Sequence, residues 1–271
     1  MKIHFIGGGN MASALIGGLL GKGFAAADIR VVEPLPQQRQ TLVEKFGVIC
    51  QAQVDAATPD ADVLVLAVKP QQMRLALAPL AGRLTCPVVL SIAAGLTLAT
   101  LSAWLSGYRR IVRAMPNTPA LIGAGMSGLA ALPEVTRDEH RMVEAVLSAA
   151  GETLWVEDEG QMDAITAISG SGPAYFFLFI EALETAAQTL GLAPDIARKL
   201  ALNTGFGATA LAKSSSESPA VLRARVTSKD GATAAALAVM AETGVAAGII
   251  AGARAACARS AELARQSGAQ D

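Results

Sequence analysis

Apolar positions in the first half of the chain come in short runs separated by longer amphipathic stretches. The runs "KIHFI", "IRVVE", "DVLVLAV", "PVVLSIA" and "RRIVRAM" are rich in β-branched residues. Their near-continuous apolar character is that of strands covered on both faces. Between the first four lie segments of helical spacing and length, residues 11–21 and 36–46 among them. This alternation predicts a doubly wound α/β domain with a mainly parallel sheet. In "TRDEHRMVEAVLSAAG", Thr136 and Glu139 stand at capping-box spacing and Gly151 closes the segment, which predicts a helix followed by a last strand at about 153–156. Beyond about residue 164 no further clear strand pattern occurs. Pro173 opens a helix that runs to about Leu190 before Gly191, and Pro194 opens another that ends near Lys213. The polar link "KSSSESP" and the stretch "LRARVTSKDGAT" then lead into an Ala-rich helical end. An α/β domain over 1–163 and an all-helical domain over 164–271 follow. The wide apolar face of Tyr175–Ile180 suggests burial against a second subunit.

Composition narrows the partners. The 271 residues are 52% hydrophobic and 17% charged, with Lys+Arg 22 against Asp+Glu 23 and a net charge of -1. No basic excess supports nucleic-acid binding, and no polybasic run suits an anionic membrane surface. The apolar stretches "PAYFFLFIEAL" and "GVAAGIIAGARAACA" are interrupted by Glu181, Glu184 and Arg254, well short of a membrane span. The start does not read as a signal peptide, because glycines and Asn10 break its apolar stretch. Three separated cysteines, Cys50, Cys86 and Cys257, suit a reducing compartment, and with only His4 and His140 they offer no metal site. The expectation is a cytoplasmic protein without metal.

Candidate chemistry begins in "IHFIGGGNMASA". Gly7-x-Gly9-x-x-Ala12 follows a strand and opens a helix, which is the dinucleotide-binding fingerprint. Gly7 permits the turn, Gly9 admits a pyrophosphate, and Ala12 keeps the helix close to the sheet. The helix start then holds the phosphates. Glu33, ending the second strand, is either an acceptor for an adenosine ribose hydroxyl or an ordinary exposed acid. The loops Lys69-Pro70 and Ala93-Ala94-Gly95 end later strands and belong beside the nicotinamide half. Lys69 is a catalytic acid, a phosphate contact or a solvated charge. Asn117 lies in a loop stiffened by Pro116 and Pro119. Ser169 and Ser171 in "GSGPAY", and Thr227, Ser228, Gly231 and Thr233 in "VTSKDGAT", read as two hydroxyl- and glycine-rich helix starts suited to a carboxylate.

With "FIGGGNMA", "AVKPQ", "SIAAG", "MPNTPA", "GSGPAY" and "VTSKDGAT" in order along nearly the whole chain, the sequence resembles the pyrroline-5-carboxylate reductases. The resemblance implies an N-terminal Rossmann domain and a helical substrate-binding domain that dimerises, with rings of five dimers in many members. It implies hydride transfer from NADPH or NADH to C5 of the cyclic imine 1-pyrroline-5-carboxylate, giving L-proline. Thr233 then faces the imine nitrogen, to donate or to orient. The substrate carboxylate rests on Ser228, Gly231, Ala232 and Thr233, and Glu159 lies near the substrate. Candidate coenzyme contacts are Ile6, Gly7, Gly8, Gly9, Asn10 and Met11, then Glu33, then Ala67, Val68, Lys69 and Pro70, and finally Ala93, Ala94 and Asn117. Two departures stand out: Lys229-Asp230 replaces a usual Pro-Gly, and an asparagine usual after the third strand is replaced around Gln53-Val54.

Two other readings compete. Lys199 and Asn203 have the spacing used by β-hydroxyacid dehydrogenases, but the glycine-rich lead expected before that lysine is absent. A nicotinamide-sensing regulator would bind coenzyme without turnover and leave "VTSKDGAT" without a role.

Overall fold

The computed structural model describes residues 1–85 and 87–268, so Cys86 lies outside the described residues. Eight strands form one sheet: β1 (Ile3–Ile6), β2 (Ile29–Val32), β3 (Ile49–Gln51), β4 (Val63–Leu66), β5 (Val88–Ser91), β6 (Ile111–Met115), β7 (Gly125–Ala131) and β8 (Gly151–Trp155). Their order is β3-β2-β1-β4-β5-β6-β7-β8. All neighbours are parallel except β6 and β7, which run antiparallel. The helices of this part are α1 (Asn10–Gly21), α2 (Pro36–Phe46), α3 (Pro70–Leu77), α4 (Leu98–Trp104), α5 (Arg137–Leu147) and the short α6 (Met162–Ile165).

The unbroken apolar strands are explained by two cores. Ile3, Phe5, Val63, Val65, Val88 and Leu90 point to one face, where they meet Leu15, Ile16 and Leu19 of α1, Leu42 of α2 and Val143 and Val146 of α5. Ile6, Leu64, Leu66 and Val89 point to the other, against Met73 and Leu77 of α3 and Leu101 of α4. Alternate residues serve opposite faces, so a strand covered on both sides needs apolar residues at every position.

Some predicted features differ. β7, "GMSGLAA", has no strand-like run of branched residues and is held as a strand by its partners β6 and β8. The capping box of α5 forms in full, Thr136 accepting from Glu139 N and the Glu139 side chain accepting from Thr136 N. The helix stops at Leu147, however, and Gly151 begins β8.

The helical part comprises α7 (Gly172–Thr189), α8 (Pro194–Ser214), α9 (Pro219–Arg225), α10 (Ala232–Glu242) and α11 (Val245–Gly268). The chain packs as two compact units, one of residues 1–171 together with the chain from 256 onward, the other of residues 172–255. In the second unit α7 lies against α8, yet Phe176, Phe177, Leu178, Phe206 and Leu211 are exposed.

Two corrections concern the entry to α7. Residues 166–170 form a π-helical turn, with Ser171 N donating to Thr166 O at 2.8 Å. "GSGPAY" is therefore not a helix start with free amides, because the path is helical before Pro173. Among the described residues, the helical run Glu159–Thr189 also reaches 31 residues and contains a stretch of mean hydropathy 1.2, so by length and composition one helix meets the requirement for a span that the apolar runs alone fell short of.

Candidate active site

The register brings the candidate coenzyme contacts to one edge of the sheet. Ile6 pairs with Val32 and with Leu66, and Leu66 pairs with Ser91. The chain therefore leaves β1, β2, β4 and β5 at the same level, into the glycine loop, Glu33, Ala67–Pro70 and Ile92–Gly95. This is the carboxyl edge of the parallel strands, and the order reverses at β1, the place where open α/β sheets bind ligands.

The three glycines of the loop have different reasons to be glycine. Gly7 has φ +99, and a Cβ there would lie 2.9 Å from the Ala67 carbonyl oxygen and 2.8 Å from Val68 Cγ1. A Cβ on Gly8 would crowd Leu42 Cδ1. Gly9 differs: its φ is -70, and nothing lies within 4 Å of a Cβ built on it. Neither conformation nor packing demands a glycine at position 9, and the space beside it is open. Gly9 also caps α1 without a side-chain hydrogen bond, and the first turn holds no acid. The amides of Asn10, Met11 and Ala12 are thus left for an anion. These residues fit a dinucleotide pyrophosphate.

Glu33 is not an ordinary exposed acid. It is 7% exposed. Its Oε2 accepts from Gly8 N and its Oε1 from Leu35 N, both at 2.9 Å. Gln38, which the sequence did not single out, donates from Nε2 to Gly8 O at 2.6 Å. Gly8 is thereby held at both its amide and its carbonyl.

Lys69 is exposed at the start of α3, and Ala93 is buried while Ala94 is exposed. Beyond the ends of β4 and β5 lies an open cleft of about 360 Å³ lined by Pro70, Gln71, Ala94, Thr166, Ser171 and Ser260, among others. The Ser260 hydroxyl donates to Asp163 Oδ1 at 2.7 Å, fixing the end of α11 beside α6.

Asn117 spends its side chain on structure. Its Oδ1 accepts from Met126 N at 2.9 Å, and its Nδ2 donates to Ser169 O at 3.1 Å and lies 3.2 Å from Ser169 Oγ. The amide ties the reversal before β7 to the π-helical turn. Asn117→Ala leaves these partners without it, and the expected loss is about 1–3 kcal/mol of unfolding free energy, read by urea denaturation. Glu159 is likewise engaged, its Oε1 accepting from Leu98 N at 2.8 Å and from Arg113 Nη1 at 3.0 Å. Arg113, only 4% exposed inside β6, was overlooked. Its signal was a lone charge within an otherwise apolar strand.

In the helical unit, Gly231 N donates to Ser228 O at 3.2 Å, closing a turn that leads into α10. Gly231 is the N-cap and carries no side-chain cap, and the first turn contains no acid. A Cβ on Gly231 would collide with Ser228 Oγ. Asp230 takes φ +57, so the backbone keeps a left-handed residue where the resemblance expects glycine. Ala232 and Thr233 lie exposed in the first turn. On α8, Asn203 Nδ2 donates to its own helix at Lys199 O, 2.8 Å away.

Residues 159–263 match the family described as pyrroline-5-carboxylate reductase dimerisation, and residues 2–95 match NADP oxidoreductase coenzyme F420-dependent. The pyrroline-5-carboxylate reductase of Pseudomonas aeruginosa is 46% identical over 268 residues, 98% of each chain. The chain belongs to the pyrroline-5-carboxylate reductase family. Among solved structures, a pyrroline-5-carboxylate reductase from Coxiella burnetii matches with a TM-score of 0.90 and 38% identity, covering 97% of this chain and 98% of the other. A pyrroline carboxylate reductase from Plasmodium falciparum, solved with NADP bound, matches with a TM-score of 0.87 and 27% identity over the same shares. As a member of the pyrroline-5-carboxylate reductase family, the chain is an NAD(P)H-dependent oxidoreductase of proline biosynthesis, with a Rossmann part and a helical dimerisation part. The exposed phenylalanines and leucines of α7 and α8 are those of a homodimer's helical domain, seen here in one protomer.

Proposed function

We propose that this chain reduces 1-pyrroline-5-carboxylate to L-proline, with the substrate carboxylate anchored at the start of α10 and Thr233 facing the imine nitrogen. The observation that carries this reading is the uncapped start of α10. Gly231 has no Cβ to displace the Ser228 hydroxyl packed against it, and the first-turn amides have no intrahelical acceptor. A carboxylate there takes charge-assisted hydrogen bonds from the amides of Ala232 and Thr233 and from the Ser228 hydroxyl. The bound dinucleotide supplies the hydride, which adds to C5 of the imine. Negative charge would otherwise build on the ring nitrogen, so a donor positioned there lowers the barrier. Thr233 supplies an O–H at the first turn of the same helix, close in sequence to the carboxylate anchor. Threonine is a weak acid, so its part is to orient the imine, its hydroxyl donating to the neutral nitrogen or accepting from the protonated one, with the proton arriving on the substrate or from water.

The coenzyme side rests on Ile6, Gly7, Gly8, Gly9, Asn10 and Met11 at the pyrophosphate and Glu33 at the adenosine. Ala67, Val68, Lys69, Pro70, Ala93 and Ala94 border the nicotinamide half. Asn117 serves by bracing the loop beside them, and Glu159 by fixing the start of α4. Exposed Lys229 adds a cation near the substrate carboxylate, and Asp230 opposes it. Domains of 1–163 and 164–271, assembly of dimers into a ring and a cytoplasmic location complete the reading. The free thiols of Cys50 and Cys257 are compatible with that location.

Two measurements test it. Parallel oxidation of NADH and NADPH with 1-pyrroline-5-carboxylate should show substrate-dependent loss of nicotinamide absorbance, and no loss with either coenzyme would defeat the proposal. Thr233→Ala should lower kcat by about 10²-fold with a smaller change in KM, as for loss of one transition-state donor, and Thr233→Ser should recover most of it. Normal turnover in Thr233→Ala would remove the threonine from the mechanism.

A further inference from the structure

We infer that Glu33 makes this enzyme select NADH over NADPH. The inference rests on the dinucleotide site proposed above and concerns the 2′ position of the adenosine ribose. Three observations converge there.

The first is the carboxylate itself, directly after β2 at the lip of the sheet and beside the glycine loop. Amides of Gly8 and Leu35 hold it from two sides, each at 2.9 Å. Swinging it away would leave both amides without their acceptor. It is therefore a fixed anion rather than a mobile surface charge. A carboxylate offers about four acceptor positions, so two bound amides leave capacity for the ribose hydroxyls. A 2′-phosphate brings roughly -1.5 to -2 further charges and no proton to donate.

The second observation is the commitment of the nearest cation. Arg39 Nη1 donates to Glu33 O at 2.7 Å and to Pro34 O at 2.8 Å. Half of its fork is spent on backbone carbonyls at the base of α2. Lys45, further along α2, lies over the Phe46 ring at 5.0 Å.

The third is the chemistry of the turn into α2. A helix start would ordinarily welcome a phosphate. Here Leu35 N is taken by Glu33, Pro36 has no N–H, and "PLP" supplies no hydroxyl or cation. The turn itself therefore offers a 2′-phosphate neither a hydroxyl nor its first amide, and a fixed anion stands beside it. The match to an NADP oxidoreductase family and the NADP-bound relative make this a departure within a shared fold rather than a different site.

Binding, separate from turnover, tests the inference. The purified full-length protein is titrated with NADH and NADPH by nicotinamide fluorescence, and with ADP-ribose and 2′-phospho-ADP-ribose by calorimetry. The unphosphorylated member of each pair should bind about tenfold tighter or better, since apposed like charges are costly. Glu33→Gln keeps an oxygen acceptor and removes the charge, so it should tighten NADPH, weaken NADH and move the ratio toward NADPH by about tenfold. Equal or tighter binding of NADPH by the unaltered protein overturns the inference, whether or not the variant folds. An unchanged ratio in a folded Glu33→Gln protein overturns it too. Failure of all four ligands to bind would instead defeat the dinucleotide site on which it rests.

Discussion

Gly9→Val yields a folded protein that has lost most of its affinity for nicotinamide dinucleotides. The backbone at Gly9 has φ -70, open to any residue, and a Cβ there meets no protein atom within 4 Å. What it meets is the space above the amides that open α1. A pyrophosphate kept away from two such amides loses charge-assisted hydrogen bonds of about 1.5–3 kcal/mol each. At about 1.4 kcal/mol per decade, the expected weakening of NADH and NADPH is roughly 10²–10⁴-fold, read as Kd by fluorescence titration. Gly7→Ala gives the opposite signature. Its φ of +99 and the contacts with Ala67 and Val68 make it a stability defect first, of about 1–3 kcal/mol from backbone strain alone. Should Gly9→Val bind both coenzymes normally, the open space is not the pyrophosphate site.

The second large effect concerns the pair of buried Arg113 and half-buried Glu159. The Arg113 side chain is 5% exposed and that of Glu159 27%, with Nη1 and Oε1 3.0 Å apart. Glu159→Ala leaves a guanidinium buried inside the sheet without its anion and frees Leu98 N at the start of α4. The expected cost is about 3–5 kcal/mol of unfolding free energy at fixed protomer concentration. Arg113→Met leaves behind a carboxylate that water can reach and that still accepts from Leu98 N, so it should cost less. The double variant Arg113→Met, Glu159→Leu should be milder than Glu159→Ala, because no unpaired charge remains. Urea unfolding of the three proteins decides. Equal losses in the two single variants would show that burial of the arginine is not what the pair's energetics depend on.

The sequence was most legible where a local period carries the signal. Strands β1, β2, β4, β5 and β6 were visible because a sheet covered on both faces demands apolar residues at every position. The capping box of α5, the proline-led α8 and the glycine loop before α1 were visible because each is settled within a few residues. β7 was not, since "GMSGLAA" lacks branched residues and is a strand by virtue of its neighbours. "GSGPAY" was misread as a helix start because nothing local announces the π-helical turn that precedes it.

The sequence by itself determined the strand–helix alternation up to β6, the carboxyl-edge placement of the glycine loop and the six motifs that mark the family. Tertiary structure decided what the polar side chains at that edge are used for. Glu33 meets Gly8 across 25 residues, Asn117 meets Ser169 across 52, and Arg113 meets Glu159 across 46. Burial makes each of these groups find a partner, because an unsatisfied polar group inside the protein is costly. Which partner it finds depends on the order in which strands lie side by side, a property of the whole sheet rather than of any short stretch of chain.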